Sequence, residues 1–176
     1  MTGSFDRGLH SDLLRALVLH PQRPASLYLG GTAGFFRSRD AGDRWLRLGT
    51  GLPDAEVHLL VLVAPSTLVA AVRTASGGSS LWKSPDLGAS WQPAENGLPG
   101  GAALYQLAAD PRRPATLYAA TEKGVFVTDD AAASWQPLNA GLPVPVLSLA
   151  VDPHDPRQLY AGSLFRGLFT LPRSDR

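Results

Sequence analysis

Ser84, Asp86, Gly88 and Trp91 fall within one eight-residue window, SPDLGASW. A hydroxyl and a carboxylate two residues apart could serve as a nucleophile and its base. Two near-copies carry the same types at the same spacing. SRDAGDRW supplies Ser38, Asp40, Gly42 and Trp45, and TDDAAASW supplies Thr128, Asp130 and Trp135 with Ala132 in the glycine place. An active site needs its reacting group once, so three copies point to a folding device. An Asp side chain accepts backbone N–H bonds across a chain reversal, and Ser does so more weakly. Glycine supplies a positive φ at little steric cost. A Trp at the start of the next strand can bury about 150–250 Å². On this reading the third copy is the weakest, because alanine disfavours the left-handed region, and Ala132→Gly should stabilise it.

Other residue types that do chemistry are sparse. His10, His20, His58 and His154 are scattered without metal-ligand spacing, so no metal site is expected. GGTAG lacks a P-loop or dinucleotide pattern around it, and no cofactor is expected. There is no cysteine, which excludes disulfides and thiolate chemistry. The net charge of +1 argues against nucleic acid or an anionic membrane as partner. No apolar run approaches the ~20 residues of a membrane span. The N-terminus lacks a basic start followed by an apolar core, so a cytoplasmic location is the default expectation.

The elements that position these residues follow from a repeat. GLP begins at Gly51, Gly97 and Gly141, and a GLH variant at Gly8, at spacings of 43, 46 and 44 residues. A second marker agrees, with SLYLGG, TLVAAV, TLYAAT and QLYAGS aligning at Leu27, Leu68, Leu117 and Leu159. Each unit reads as four strands. The first is apolar on both faces, as a strand packed between neighbours must be. It ends at a Pro turn (Pro21, Pro65, Pro111, Pro153), where Asp110 and Asp152 are placed to cap. The second carries the Leu-Tyr marker. The third has an aromatic at one fixed place: Phe36, Trp82, Phe126, Phe169. The fourth starts at the motif Trp. Four antiparallel strands at this period make a β-propeller blade.

The sequence here resembles the Asp-box (BNR) propellers, a superfamily that includes sialidases, xyloglucanase-type glycosidases, sortilin-type receptors and the photosystem II assembly-factor type. The resemblance covers nearly the whole chain. It implies an all-β propeller whose boxes are structural and lie away from the active centre. It does not select an activity, because these folds host unrelated functions.

The expected arrangement is one domain over residues 1–176. Its blades span about 13–50, 57–96, 103–140 and 145–171, the last completed by residues 1–9 as its fourth strand. Four blades are few for this superfamily; the expected state is a closed four-bladed monomer, with a homodimer forming an eight-bladed ring by exchange of the terminal strand, or a piece of a longer protein, as the alternatives.

The loops opposite the motif turns are where binding residues are expected on such a scaffold. In the second unit that loop grows to RTASGGSS, Arg73 to Ser80. Arg73, Glu122 and Arg166 are the candidate ligand-binding residues, with Thr32, Lys123, Phe165, Asp54 and Glu56 nearby by alignment. Two guanidinium groups facing a central mouth could hold a carboxylate or sulfate through bidentate bonds. The expected function is a non-catalytic binding or scaffold module for a protein or glycan. The alternative is a glycan hydrolase, sialidase-like or xyloglucanase-like, or a fragment or half-ring of one. The sialidase type would need an arginine cluster and a tyrosine, for which Tyr105 is the central candidate. Other glycosidases need two facing carboxylates, for which Glu56 and Glu122 stand without a supporting motif.

Overall fold

Each unit of the repeat folds into one antiparallel sheet in the computed structural model, which describes residues 9, 13–63, 65–138, 141–155 and 158–172. The first sheet holds β1 (Leu14–Leu19), β2 (Leu27–Gly31), β3 (Gly34–Ser38) and β4 (Leu46–Leu48). The second holds β5 (Val57–Val63), β6 (Thr67–Arg73), β7 (Ser79–Ser84) and β8 (Gln92–Pro93). The third holds β9 (Leu104–Ala109), β10 (Leu117–Thr121), β11 (Gly124–Thr128) and β12 (Gln136–Pro137). The fourth holds β13 (Val146–Val151), β14 (Gln158–Ser163) and β15 (Gly167–Pro172). Strands pair in chain order within each sheet, and there is no helix among the described residues.

The first strands form an inner row, β1 against β5, β5 against β9 and β9 against β13. The sheets therefore stand side by side as the four blades of a β-propeller. The core lies in the seams between them. Tyr28 and Phe35 of the first blade meet Val57, Ala70 and Trp91 of the second. Val69 and Leu81 of the second meet Leu104, Phe126 and Trp135 of the third. Tyr118 and Val125 of the third meet Val146, Leu149 and Ala161 of the fourth. The second and third blades thus bury both faces, which is why their inner strands cannot alternate apolar with polar.

The turns sort onto two faces. Each motif turn is tied to the Pro turn of its own blade: Ala41 N–H donates to Ala25 O (2.9 Å), Leu87 N–H to Ser66 O (3.2 Å) and Ala131 N–H to Ala115 O (2.9 Å). The hairpins joining second to third strands lie at the other end, against the starts of the inner strands. Thr32 N–H donates to Leu13 O, Arg73 N–H to Glu56 O, Glu122 N–H to Ala103 O and Leu164 N–H to Pro145 O.

Closure of the ring is not detected. No packing comparable to the three seams joins β13 back to β1 among the described residues, and the four blades form an open arc. Residues 1–8, most of the expected closing strand, lie outside the described residues.

Candidate functional site

The three motif turns share one hydrogen-bonded plan. In the second, Ser84 Oγ donates to Asp86 Oδ1 (2.7 Å) and accepts the Gly88 N–H (2.7 Å). Asp86 in turn accepts Ser90 N–H (2.9 Å) and Ser90 Oγ–H (2.6 Å). In the third, Thr128 Oγ1 donates to Asp130 Oδ1 (2.6 Å) and accepts the Ala132 N–H (3.1 Å), while Asp130 takes Ala133 N–H, Ser134 N–H and Ser134 Oγ–H. In the first, Ser38 Oγ bonds Asp40 Oδ1 (2.8 Å) and accepts Gly42 N–H, and Arg44 N–H reaches Asp40. The hydroxyls of Ser38, Ser84 and Thr128 are all buried. Each is consumed as donor and acceptor within its own turn, which leaves no reactive hydroxyl.

The carboxyls respond to this wiring. Burial pushes Asp86 up, and the bonds from Ser90 and Ser84 outweigh it, leaving the group at about 2. Asp130 is likewise raised by burial and lowered further by Ser134 and Thr128, again to about 2. Asp40 is held below its ordinary value by the Arg44 amide first and Ser38 second. Donors that favour the charged form are the cause in each case.

The turns need two consecutive left-handed residues. Gly42, Gly88 and Ala132 have φ of +98°, +89° and +64°, and Ala41, Leu87 and Ala131 before them lie at +58°, +57° and +53°. Trp91 and Trp135 then fill the seam with the preceding blade. Trp91 meets Phe35 edge-on at 5.2 Å between ring centroids, and Trp135 Nε1–H donates to Ala94 O (3.0 Å). Trp45 occupies the same place in the first blade but is only partly buried.

The hairpin face is different in every blade. Each inner strand carries a β-bulge at its start, with the pairing register shifting around Arg15, His58, Tyr105 and Leu147. Bulges re-aim a side chain out of the ladder and recur beside binding sites. Arg15 Nε donates to Glu56 Oε1 (2.7 Å). His58 Nε2 lies 3.2 Å from Ser79 Oγ and 3.3 Å from Leu104 O. Its Nδ1 is buried with no hydrogen-bond partner among the described residues. Burial lowers the His58 pKa most, and the Arg73 charge lowers it further, so the ring is a neutral imidazole at pH 7. Arg73 is exposed at the rim of this cluster and holds no ion pair among the described residues.

Arg73, Glu122 and Arg166 therefore share the hairpin face, on three successive blades. Only Arg73 stands within the Arg15–Glu56–His58 cluster. Glu122 Oε1 lies 3.6 Å from its neighbour Lys123. Arg166 is exposed beside Phe165, which is 94% exposed. Asp54 is taken up by Arg47. The long loop of the second blade is tighter than the sequence implied. Arg73 and Ser79 already pair in the sheet, and the remaining five residues close through Thr74 N–H to Gly78 O and Gly77 N–H to Thr74 O (both 3.0 Å). Gly78 rests directly on the Gly101 carbonyl, where a Cβ would approach to 2.0 Å. Sequence reasoning missed Arg15 altogether and read His58 as scattered. The available signal was the inner-strand position whose residue changes from Arg to His to Tyr to Leu directly after a constantly apolar one, Leu14, Val57, Leu104 and Val146.

The fold and this face define a β-propeller with one varied end. No family model matches the chain, and no curated protein matches it. Solved structures do. A GH74 xyloglucanase from Xanthomonas campestris superposes with a TM-score of 0.70 at 19% identity, covering 84% of this chain and 26% of that one. YCF48 from Cyanidioschyzon merolae gives 0.59 at 16% identity, with 95% and 58% covered. YCF48 bound to D1 peptide gives 0.62 at 15% identity, with 88% and 50% covered. The chain spans about a fifth to a quarter of the GH74 structures it matches first. At these identities the likeness is one of fold.

Proposed function

We propose that the chain is a non-catalytic binding module of the Asp-box (BNR) propeller type, and that its hairpin face takes an acidic segment of a protein partner. The observation that carries this reading is Arg73, an exposed guanidinium with no ion pair among the described residues, at the rim of a cluster whose carboxylate, Glu56, is engaged by Arg15. That leaves a net positive mouth, suited to a carboxylate held by a planar fork of donors. The peptide held by YCF48 lends the occupant class support, since that protein shares the fold. The two carboxylates a hydrolase reading would use, Glu56 and Glu122, each stand against a cation.

Isothermal titration with acidic peptides, alongside an array of sialylated and uronic oligosaccharides, tests the proposal. Arg73→Ala should weaken binding about tenfold or more, as loss of a charge-assisted bond does, with the melting temperature unchanged. Affinity that survives Arg73→Ala, or a ligand mapped to the Asp40, Asp86 and Asp130 turns, would count against it. Turnover of aryl glycosides in the same samples would replace it with the hydrolase reading.

A further inference from the structure

The repeat gives each blade a face towards the next blade and a face towards the one before, and the open arc leaves one of each uncovered. Towards the next blade, Phe35, Leu81 and Val125 occupy one repeat position and are 0%, 1% and 0% exposed, whereas Leu168, in that position on the last blade, is 72% exposed. Towards the preceding blade, Val57, Leu104 and Val146 are 0%, 5% and 0% exposed, whereas Leu14, in that position on the first blade, is 53% exposed. Leu17 and Leu19 are uncovered beside it, at 57% and 60%. Their counterparts Leu60 and Leu62 pack into the first seam. Apolar side chains in this density on a monomer's surface mark an interface.

The internal seams also show what fits there. Val57 sits over Gly30, where a Cβ would come within 2.7 Å of the valine. Phe35 sits over Gly88 and against Trp91. The last blade has Gly162 in the place of Gly30, with the exposed Ser148 hydroxyl of its own inner strand turned over it, and the first blade has Gly42 and Trp45 in the places of Gly88 and Trp91. The two uncovered faces are therefore the two halves of one seam, carried at opposite ends of the same chain.

We propose that a second copy of this chain covers them. Leu14 of one copy seats against Gly162 and Ser148 of the other, and Leu168 of that copy seats over Gly42 and Trp45 of the first. The contact is head-to-tail, and made twice between two copies it closes a ring of eight blades with no free face. A ring closes where a longer head-to-tail array would stay open. The inference rests on seam packing and is independent of what the hairpin face binds.

Light scattering on the intact chain, across a wide range of concentration, should give twice the chain mass of 18.6 kDa. Leu168→Asp and, separately, Leu14→Asp should each halve that mass, since one charge spoils both seams of the ring. Both side chains are exposed within one copy, so each variant should keep the far-ultraviolet circular dichroism of the parent. Leu168→Ser serves if the aspartate variant does not fold. Trp45 gives a second readout. The emission difference between the parent and Trp45→Phe should shift to longer wavelength on halving, as the indole becomes wet. A single-chain mass for the parent, a mass that climbs past two chains with concentration, or a two-chain mass unaffected by both substitutions would each overturn the proposal.

Discussion

The motif face and the hairpin face are built from the same four-blade repeat yet obey different rules. On the motif face three turns reproduce one hydrogen-bond plan, from hydroxyl to carboxylate to the amides beyond. On the hairpin face the corresponding position is Arg15, His58, Tyr105 and Leu147 in turn, and one hairpin of the four is enlarged. Sameness across blades is what a scaffold needs, because every turn solves one geometric problem. Difference across blades has no such use, and it gathers charge around one mouth. Substitutions on the first face should therefore move stability, while those on the second should move binding alone.

The largest effect is expected at Gly88. A Cβ there would stand 2.2 Å from Phe35 Cε1. Phe35 is fully buried, stacked on Tyr28 and edge-on to Trp91, so the ring has nowhere to go. Overpacking of this kind costs roughly 1–3 kcal/mol, and an alanine at φ +89° adds about 1–2 kcal/mol. Gly88→Ala should lower stability by about 3 kcal/mol or more in chemical denaturation. A loss within the scatter of surface substitutions would show that the seam is looser than described.

Asp86→Ala comes next, at about 1–3 kcal/mol, since it strips the acceptor from the Ser90 amide and the buried Ser84 hydroxyl. The same carboxylates predict an acid response. Asp86 and Asp130 stand at about 2 in the folded chain, below the ordinary aspartate value of 3.8. A depressed folded pKa contributes stability that is complete above the unfolded value and is lost as pH falls through the folded one. The melting temperature should therefore drop between about pH 4 and pH 2. The effect should be modest, because both groups are largely solvated. A parallel pH series on Asp86→Ala should be flatter over that interval. An equal slope would assign the acid response to other carboxylates.

The difference between the faces also decides what the sequence could disclose. The Trp and Gly-Leu-Pro spacing made the four blades legible, because a repeat exposes whatever is constant. Its capping residues were only partly visible. Asp110 and Asp152 accept the Arg112 and His154 amides as their place before proline implied, but His20 does the same for Gln22 through Nδ1. An imidazole there carries no turn signal of its own. The left-handed residues ahead of each glycine position are Ala41, Leu87 and Ala131, types that do not favour that region, so only the tertiary bonds of the turn place them there. The cluster around Glu56 was hidden for a further reason. A bulge is one unpaired residue, and in an apolar strand it looks like one more strand residue until the register is known.

The smallest effect tests the motif face at its irregular copy. Ala132 holds φ +64° where Gly42 and Gly88 stand in the other turns, and from the sequence its replacement by glycine should stabilise. Relief of a left-handed alanine is worth about 1–2 kcal/mol. Against this, the Ala132 methyl is fully buried in the seam between the second and third blades. The residue opposite it there is Leu81, in the place that Phe35 holds opposite Gly88. Removing the methyl forfeits about 0.8 kcal/mol of burial, and glycine adds about 0.5–1 kcal/mol of backbone entropy to be lost on folding. The terms nearly cancel. Ala132→Gly should leave the denaturation midpoint close to that of the parent, while Ala132→Gly with Leu81→Phe, which rebuilds the pair found at Phe35 and Gly88, should be more stable than Leu81→Phe alone. A double variant no better than Leu81→Phe would mean that the glycine place and the residue across the seam do not vary together.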